Sequence, residues 1–568
     1  MIFLYIANFL TVLIFLSYGR IINSFLFPGN KKEQITANDI ISGIIYLSFI
    51  GIFINFFFPL SLIINNFIFF LGIIFLFFNF YKKVSIPNTL RICLIISSIS
   101  FLIMIFENSN RPDAGLYHLP FISILNEHKI ILGISNVHFR FGHTSIVQYT
   151  SAIFNNSLFY DKGITIPISI IIATIFLYFY QNFRKKNNNF FLVFFFLIVS
   201  FITLKVSRYD DIGNDSIGHL FYFLTVSYFL ICFYKKKFKY ENFFLLFLFS
   251  LFTFANKIFL ILSIVFPFFF IIWTKKFHFI LDKRNLILFF FISIFLLKNV
   301  LISSCIIYPL KISCFKNLSW SSVDKNTHSS PEYRSLAGKV HAKAWVDYKD
   351  RKVSFEEYNH NFNWIKTWSE THLKYLFKKL IPLYILIIFL TFHFLYHEKK
   401  NSKTKKNITQ FIKSKYLALI VSIFGSIYWF LNFPIYRYGY SLFVSGTIIL
   451  IAFLINKYFT DNNKKKINIF KKILIIFFIF VIGKNITKIQ KYHNIDYVDK
   501  PWPKIYAFDK ENIKQKNIEL LKFKDLRIYS PVYRLCMYSP SPCTNFKEIK
   551  KQIKIIKKFN YYLIIPKV

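Results

Sequence analysis

Acidic residues are scarce in this chain. Asp and Glu number 27 against 71 Lys and Arg in 568 residues, a formal net charge of +44. That imbalance would suit a nucleic-acid binder, but the basic residues are not interleaved with aromatics along a groove, and no nucleic-acid motif occurs. Phe, Ile, Lys, Asn and Tyr are abundant together, as an AT-rich coding sequence would make them. Nucleic acid is therefore set aside as a partner. Glycine is also sparse, at 16 residues, and no Gly-rich phosphate loop is present. Internal repeats and heptad runs are missing, which sets aside solenoids and coiled coils. Lipidation motifs are missing at both ends. The opening stretch "IFLYIANFLTVLIFLSYG" follows Met1 without a charged n-region or a small-residue cleavage site, and so reads as an uncleaved first span.

Hydrophobic residues are plentiful, at 55%, and aromatics make up 21%. The apolar residues come in blocks of about 17–22, the length that crosses a bilayer core about 30 Å thick. The expected fold is mainly α, a polytopic transmembrane bundle of about fourteen spans. The spans should begin near Met1, Ala37, Leu60, Asn88, Gly163, Phe190, Ile217, Asn242, Ile258, Asn285, Leu376, Lys415, Gly439 and Ile473. Around Lys257 one long apolar block reads either as two spans or as a tilted helix with a re-entrant piece.

Seven basic clusters then fall on one side. They are Lys31–Lys32, Lys82–Lys83, "FRKKNNN", "KKKFK", the pair at Lys275, "EKKNSKTKK" and "KKK" at Lys464. Positive residues mark the cytoplasmic side, so the other face is extracytoplasmic. On that outer face lie loops 107–162, 207–218 and 304–375. The transmembrane domain covers 1–484. A tail, 485–568, is too polar to span and reads as a small extracytoplasmic α/β domain. Within it "LRIYSPVY" and "YYLIIPKV" suggest strands, with "NFKEIKKQIKIIKKF" a helix between them.

Cysteine usage agrees with this layout. Cys93 and Cys232 sit inside spans, whereas Cys305 and Cys314 share an outer loop and Cys536 and Cys543 share the tail. Paired cysteines in an oxidising compartment suit disulfides Cys305–Cys314 and Cys536–Cys543; four free thiols are the alternative.

The chemistry-bearing residues gather on the outer face. Asp113 follows the fourth span, with Tyr117 and His118 close behind. Either Asp113 caps a helix, or the apolar residues Leu116, Leu119, Phe121, Ile122 and Ile124 lie along the membrane interface and hold Asp113 and His118 at headgroup depth. In "NVHFRFGHTS", His138 and His143 lack the Cys or Glu that would complete a zinc set. Arg140 suits a phosphate through its fork of donors, or a solvated loop. Asp210, Asp211 and Asp215 suit either a divalent cation or a solvated turn. Lys257, between two apolar blocks, must snorkel or pair. Arg437, flanked by Tyr436 and Tyr438, is either an aromatic-belt residue or an anion site. One carboxylate and several cations at headgroup depth fit chemistry on a phosphate-linked lipid.

This layout of many spans, an acid in an early outer loop and a small soluble tail resembles the GT-C superfamily of membrane glycosyltransferases. The strings "PDAGLYHLPFI", "NVHFRFGHTS", "KNVLISSCIIYP", "NFPIYRYG" and "PSPCTNF" resemble an uncharacterised bacterial polytopic family linked to surface polysaccharide. The resemblance implies transfer of a sugar from a polyprenyl-phosphate donor to a lipid-linked or other cell-envelope glycan, on the outer side of a bacterial inner membrane. It matches Asp113 to the catalytic base and Asp210, Asp211 or Asp215 to a second acid. His118 would assist catalysis, and Arg140, Lys257, Arg437 and Tyr117 would bind the phosphate. A divalent cation remains an open expectation, with no metal ligands assigned. The chain departs from that pattern in two ways: the acidic loop follows four spans rather than one, and Asp113 is followed by Ala114 rather than a second acid. A polysaccharide polymerase or ligase, and a non-enzymatic transporter of lipid-linked glycan, are the alternatives.

Overall fold

The structure, a computed structural model, describes residues 1–28, 36–81, 86–106, 113–185, 188–205, 213, 215–349, 352–360, 362–397, 409–456, 463–491, 505, 518–523, 526–531, 535–546 and 548–567. It is mainly helical. The bundle opens with α1 (Ile2–Leu26), α2 (Thr36–Phe57), α3 (Leu62–Tyr81) and α4 (Ile86–Phe106). Two short helices, α5 (Leu119–Glu127) and α6 (Val147–Ile153), lead to α7 (Ile166–Arg184), α8 (Asn189–Lys205), α9 (Asp215–Tyr234) and α10 (Tyr240–Asn256). Then come α11 (Val265–Thr274), α12 (Asn285–Ser303), the loop helices α13 (Pro331–Ala342), α14 (Phe355–His360) and α15 (Trp364–Trp368), and finally α16 (Lys374–His397), α17 (Thr409–Asn432), α18 (Tyr436–Asn456) and α19 (Asn463–Lys491). Long apolar runs adopt helices because a helix satisfies every backbone group internally where no water can.

Among the described residues, eight helices are long and apolar enough to cross a membrane, and four shorter apolar helices accompany them. The chain is thus an integral membrane protein with several spans. At Lys257 the long apolar block does break. The backbone of Lys257 is extended, a 3-10 stretch covers Ile258–Ile264, and regular helix resumes only at Val265.

Close crossing of α1 and α2 depends on two glycines. A Cβ on Gly19 would run into the Asp39 carbonyl, and one on Gly43 into that of Phe15. Backbone cannot swing aside as a side chain can, so this small-residue crossing is sterically fixed. Beside it lies a buried ion pair, Arg20 Nε to Asp39 Oδ2 at 3.4 Å. Asn23 donates to Asp39 Oδ1 at 3.0 Å, Tyr46 donates to Asn23, and Arg20 reaches Thr89. Lys298, inside α12, is fully buried with its Nζ on Thr144 Oγ1 at 2.9 Å. The spans read as nearly free of buried charge, and these three residues correct that reading.

Beyond α4 the chain forms a π-helical turn, Ala114–His118, running into α5. Leu119, Phe121, Ile122 and Ile124 are all at least 97% buried. They pack inside the protein rather than along the bilayer surface; Phe121, for one, meets the rings of Phe141 and Tyr149, and the tail bonds the same segment of chain. Met537 N–H donates to the Gly115 carbonyl at 2.8 Å. The Ser123 hydroxyl donates to the Ser539 carbonyl at 2.6 Å, and Glu127 accepts from the backbone and hydroxyl of Ser541. Both expected disulfides, Cys305–Cys314 and Cys536–Cys543, are formed, and the second closes the loop that carries these contacts.

The tail holds two antiparallel hairpins. Strand β1 (Ile518–Lys522) pairs with β2 (Arg527–Pro531), and β3 (Ile553–Lys558) with β4 (Tyr561–Pro566). The helix expected in "NFKEIKKQIKIIKKF" shrinks to Ile549–Gln552, and Ile553–Lys558 form β3 instead. Period two decides it, since Ile553 and Ile555 face inward while Lys554 is exposed. Positive φ at both Phe559 and Asn560 closes the two-residue turn. Strand β4 then pairs back to Leu132, whose N–H and carbonyl bond Tyr562 and Ile564.

Candidate functional site

Four span ends bring their charged residues together at one end of the bundle. Asp113 stands at the start of the π-helical turn after α4. Asp215 is the first residue of α9, where a carboxylate complements the positive end of the helix dipole. Lys257 occupies the break after α10, and Arg437 the first turn of α18, just past Pro434. The Arg437 guanidinium pairs with Asp113 Oδ2, and its Nε lies 4.0 Å from Asp215 Oδ2. Lys257 Nζ donates to Asp215 Oδ1 at 2.5 Å and to the Arg437 carbonyl at 2.8 Å. The result is an alternating chain, Asp113, Arg437, Asp215, Lys257, in which each charge meets its opposite.

Local sequence explains how each member is held. Gly218, one turn into α9, allows Lys257 to approach, since a Cβ there would come within 2.9 Å of the Lys257 Cβ. Tyr438 lies under both cations, 4.7 Å from Lys257 Nζ and 5.3 Å from Arg437 Cζ, measured to the ring centroid. His219 fixes the Arg437 backbone. Its Nε2 donates to the Arg437 carbonyl at 2.8 Å, which leaves Nδ1 to accept from the Ser441 hydroxyl at 2.6 Å. Its ring lies tilted against that of Tyr440, with centroids 3.8 Å apart. Exposure differs along the chain of charges. Lys257 is buried, whereas the side chains of Asp113, Asp215 and Arg437 keep 26%, 34% and 37% of their surface. A polar molecule arriving at this face would meet those three.

Asp113 makes no capping bond, so the helix-cap reading gives way to the ion pair. Burial raises its carboxyl, but the Arg437 guanidinium, aided by Arg140, outweighs burial and holds it below the ordinary carboxylate range. Its ionised form is therefore present at neutral pH and is lost only as pH falls through that lowered value. Replacing Arg437 by Gln removes the main lowering influence and leaves burial, so the Asp113 titration is expected to move to higher pH. The infrared carboxylate band that disappears in the Asp113→Asn variant would track it. An unmoved titration would mean that Arg437 does not set the charge of Asp113.

The remaining expected residues lie around this core. Tyr117 follows Asp113 by one turn, and the Arg140 guanidinium sits 5.3 Å from its ring centroid. His118 is buried, its Nδ1 bonded by Gln148 Nε2 at 3.2 Å. Burial pushes its pKa down to about 4, so it meets Asp113 as a neutral ring. His138 accepts from the backbone N–H of Arg140. Asp210 and Asp211 lie outside the described residues. Among the described residues no group of three or more His, Cys, Asp or Glu is placed to hold a metal ion, and Asp113 and Asp215 already bond cations.

Sequence reasoning missed His219 and Ser441, and saw Tyr438 only as a neighbour of Arg437. "SIGHLF" and "RYGYSL" carry no spacing that links them. A signal existed only in the clustering of Arg, Tyr and Gly at a span start.

Fold and site together define a polytopic helical membrane protein with a mixed-charge cluster at one end of its bundle, roofed by a small disulfide-closed tail. Residues 1–444 match the family described as a domain of unknown function, DUF8201, and the chain belongs to that family. No curated protein and no solved structure matches it.

Proposed function

We propose that this protein is a membrane glycosyltransferase of GT-C type that moves a sugar from a polyprenyl-phosphate donor to a lipid-linked or other envelope glycan. One observation carries the reading: an ionised acid, Asp113, is fixed among cations at the membrane end of the bundle, in a partly open site. Sugar transfer to a hydroxyl needs a carboxylate to take the hydroxyl proton, and cations to hold the departing phosphate. Asp113 takes the first role. Arg437 positions it and keeps it ionised. Among the described residues Arg140 is the cation of the expected set that bonds no acid, and so is available to a phosphate. Tyr117 lines the approach between them. Asp215 and Lys257 fix Arg437 from behind.

The fourteen-span layout belongs to this proposal, with α16, α19 and the shorter apolar helices as the further spans. So do the bacterial inner membrane and the extracytoplasmic orientation of the cluster. An impermeant maleimide should label a cysteine placed at Ile312 in intact cells, and one placed at Lys236 only after permeabilisation. The reverse pattern would overturn the orientation.

The reading itself is tested with a radiolabelled polyprenyl-phosphate hexose. Membranes bearing the protein should pass label into a glycan fraction, and membranes lacking it should not. Equal incorporation would remove the assignment. A transporter would instead bring polar groups to the middle of the bilayer. Asp113, Asp215, Lys257 and Arg437 instead gather at helix ends, which favours the transferase.

A further inference from the structure

The cations of this face are of two kinds. Arg437 and Lys257 are each bonded to a carboxylate. Arg140 and Arg334 are not: among the described residues no carboxylate lies within ion-pair distance of either guanidinium. Yet the two are brought to one ring. Arg140 Cζ lies 5.1 Å, and Arg334 Cζ 3.7 Å, from the centroid of Phe139. They arrive from different places, Arg140 from the 3-10 turn Phe139–His143 and Arg334 from α13 in the long loop after α12. Arg334 Nε donates to the His328 carbonyl, which leaves its two terminal nitrogens available. Among the described residues the Arg140 guanidinium makes no hydrogen bond.

Nearby imidazoles do not add charge. Burial holds His138 well below its ordinary value, His143 down to about 3 and His328 down to about 4. Two like charges around one ring repel unless an anion joins them, and guanidinium forks match phosphate oxygens bidentately. Arg140 also borders Tyr117, so an anion here would lie beside Asp113. A bare carboxylate would repel that anion, but Asp113 is neutralised by Arg437.

We propose that Arg140 and Arg334 form a two-guanidinium clamp for a phosphate group, either that of an isoprenoid phosphate or free phosphate. The clamp deepens the transferase reading, on which its choice of substrate rests, by giving the phosphate to Arg140 and Arg334 rather than to Lys257 and Arg437.

The test uses the full-length protein in lipid nanodiscs, titrated with farnesyl phosphate, farnesol and inorganic phosphate. Wild type should bind farnesyl phosphate. Arg334→Gln and Arg140→Gln should each weaken it about tenfold or more, the scale of a lost charge-assisted contact. Farnesol binding should not respond to either change. Arg334→Lys, which keeps charge without the fork, should fall in between. Lys311→Gln is the control, an exposed cation paired with Asp324 and Glu332, and should bind as wild type does. Displacement of farnesyl phosphate by inorganic phosphate would support a clamp that reads the phosphate alone; retention would support one that needs the lipid as well. Wild-type affinity in an Arg334→Gln protein of unchanged melting temperature would overturn the clamp. Phosphate binding without transfer of any polyprenyl-phosphate sugar would remove the transferase and leave the clamp. Transfer that ignores both arginine substitutions would do the opposite.

Discussion

Replacing Asp113 by Asn is expected to lower sugar transfer by about 10²–10⁴-fold, the usual contribution of a positioned general base. Asn has the shape of Asp and can still accept from Arg437 through its amide oxygen. The four-residue chain of charges loses one member without losing its packing. Arg437 keeps Asp215 as a neighbour at 4.0 Å, so no fully buried cation is stranded. Melting temperature and insertion should therefore stay near wild type while transfer falls. The measurement is the initial rate of label transfer in reconstituted vesicles at matched protein content. Transfer at the wild-type rate would remove Asp113 as the base, whatever else the site does.

Asp39 is expected to show the largest effect on stability. Its carboxylate is 2% exposed and Arg20 is 5% exposed, where water cannot take over the role of a lost partner. Asp39→Ala leaves the Arg20 guanidinium, among the described residues, with only Thr89, and takes from the Asn23 amide its Asp39 acceptor. Breaking a buried pair from one side costs roughly 3–5 kcal/mol, because the uncompensated charge must be solvated by what remains. The apparent melting temperature of the detergent-solubilised protein should drop accordingly. Arg20→Met combined with Asp39→Leu should recover much of the loss, since replacing both partners by apolar groups removes the stranded charge. Unchanged melting in the single variant would show that the pair contributes nothing measurable. The expected effect is structural: Asp39 sits in the first turn of α2 and is not part of the Asp113 cluster.

Much of the architecture could be read from runs and periods. Blocks of Phe, Ile and Leu specify helices because a bilayer admits few other backbones. The aromatic and β-branched run in "YYLIIPKV" specifies a strand. Two elements resisted. "KQIKIIKKF" contains enough Lys and Ile to look like an amphipathic helix, yet it becomes a strand because β4 is available to pair with it. The apolar stretch Leu119–Ile124 looked membrane-seeking, and it is buried inside the protein, with Phe121 against Phe141 and Tyr149. In both cases the outcome rests on a partner outside the segment, and the segment's own pattern carries no record of it.

The site divides the same way. Residue type and position relative to span ends were enough to single out Asp113, Lys257 and Arg437, and to group Asp215 with Asp210 and Asp211, since charge is costly near a bilayer and each such residue needs a reason to be there. Nothing in their order along the chain says which acid meets which cation. Arg437 finds Asp113 across 324 positions of sequence, and Arg334 finds the Phe139 ring from a loop without any motif. Composition and hydropathy decided that the chain would be helical, membrane-embedded and charged at its loops, because those outcomes follow from the free energy of single residues in lipid or water. Pairing, burial and the sharing of one aromatic ring by two guanidiniums were decided only when the helices packed, because each depends on distances that packing alone creates.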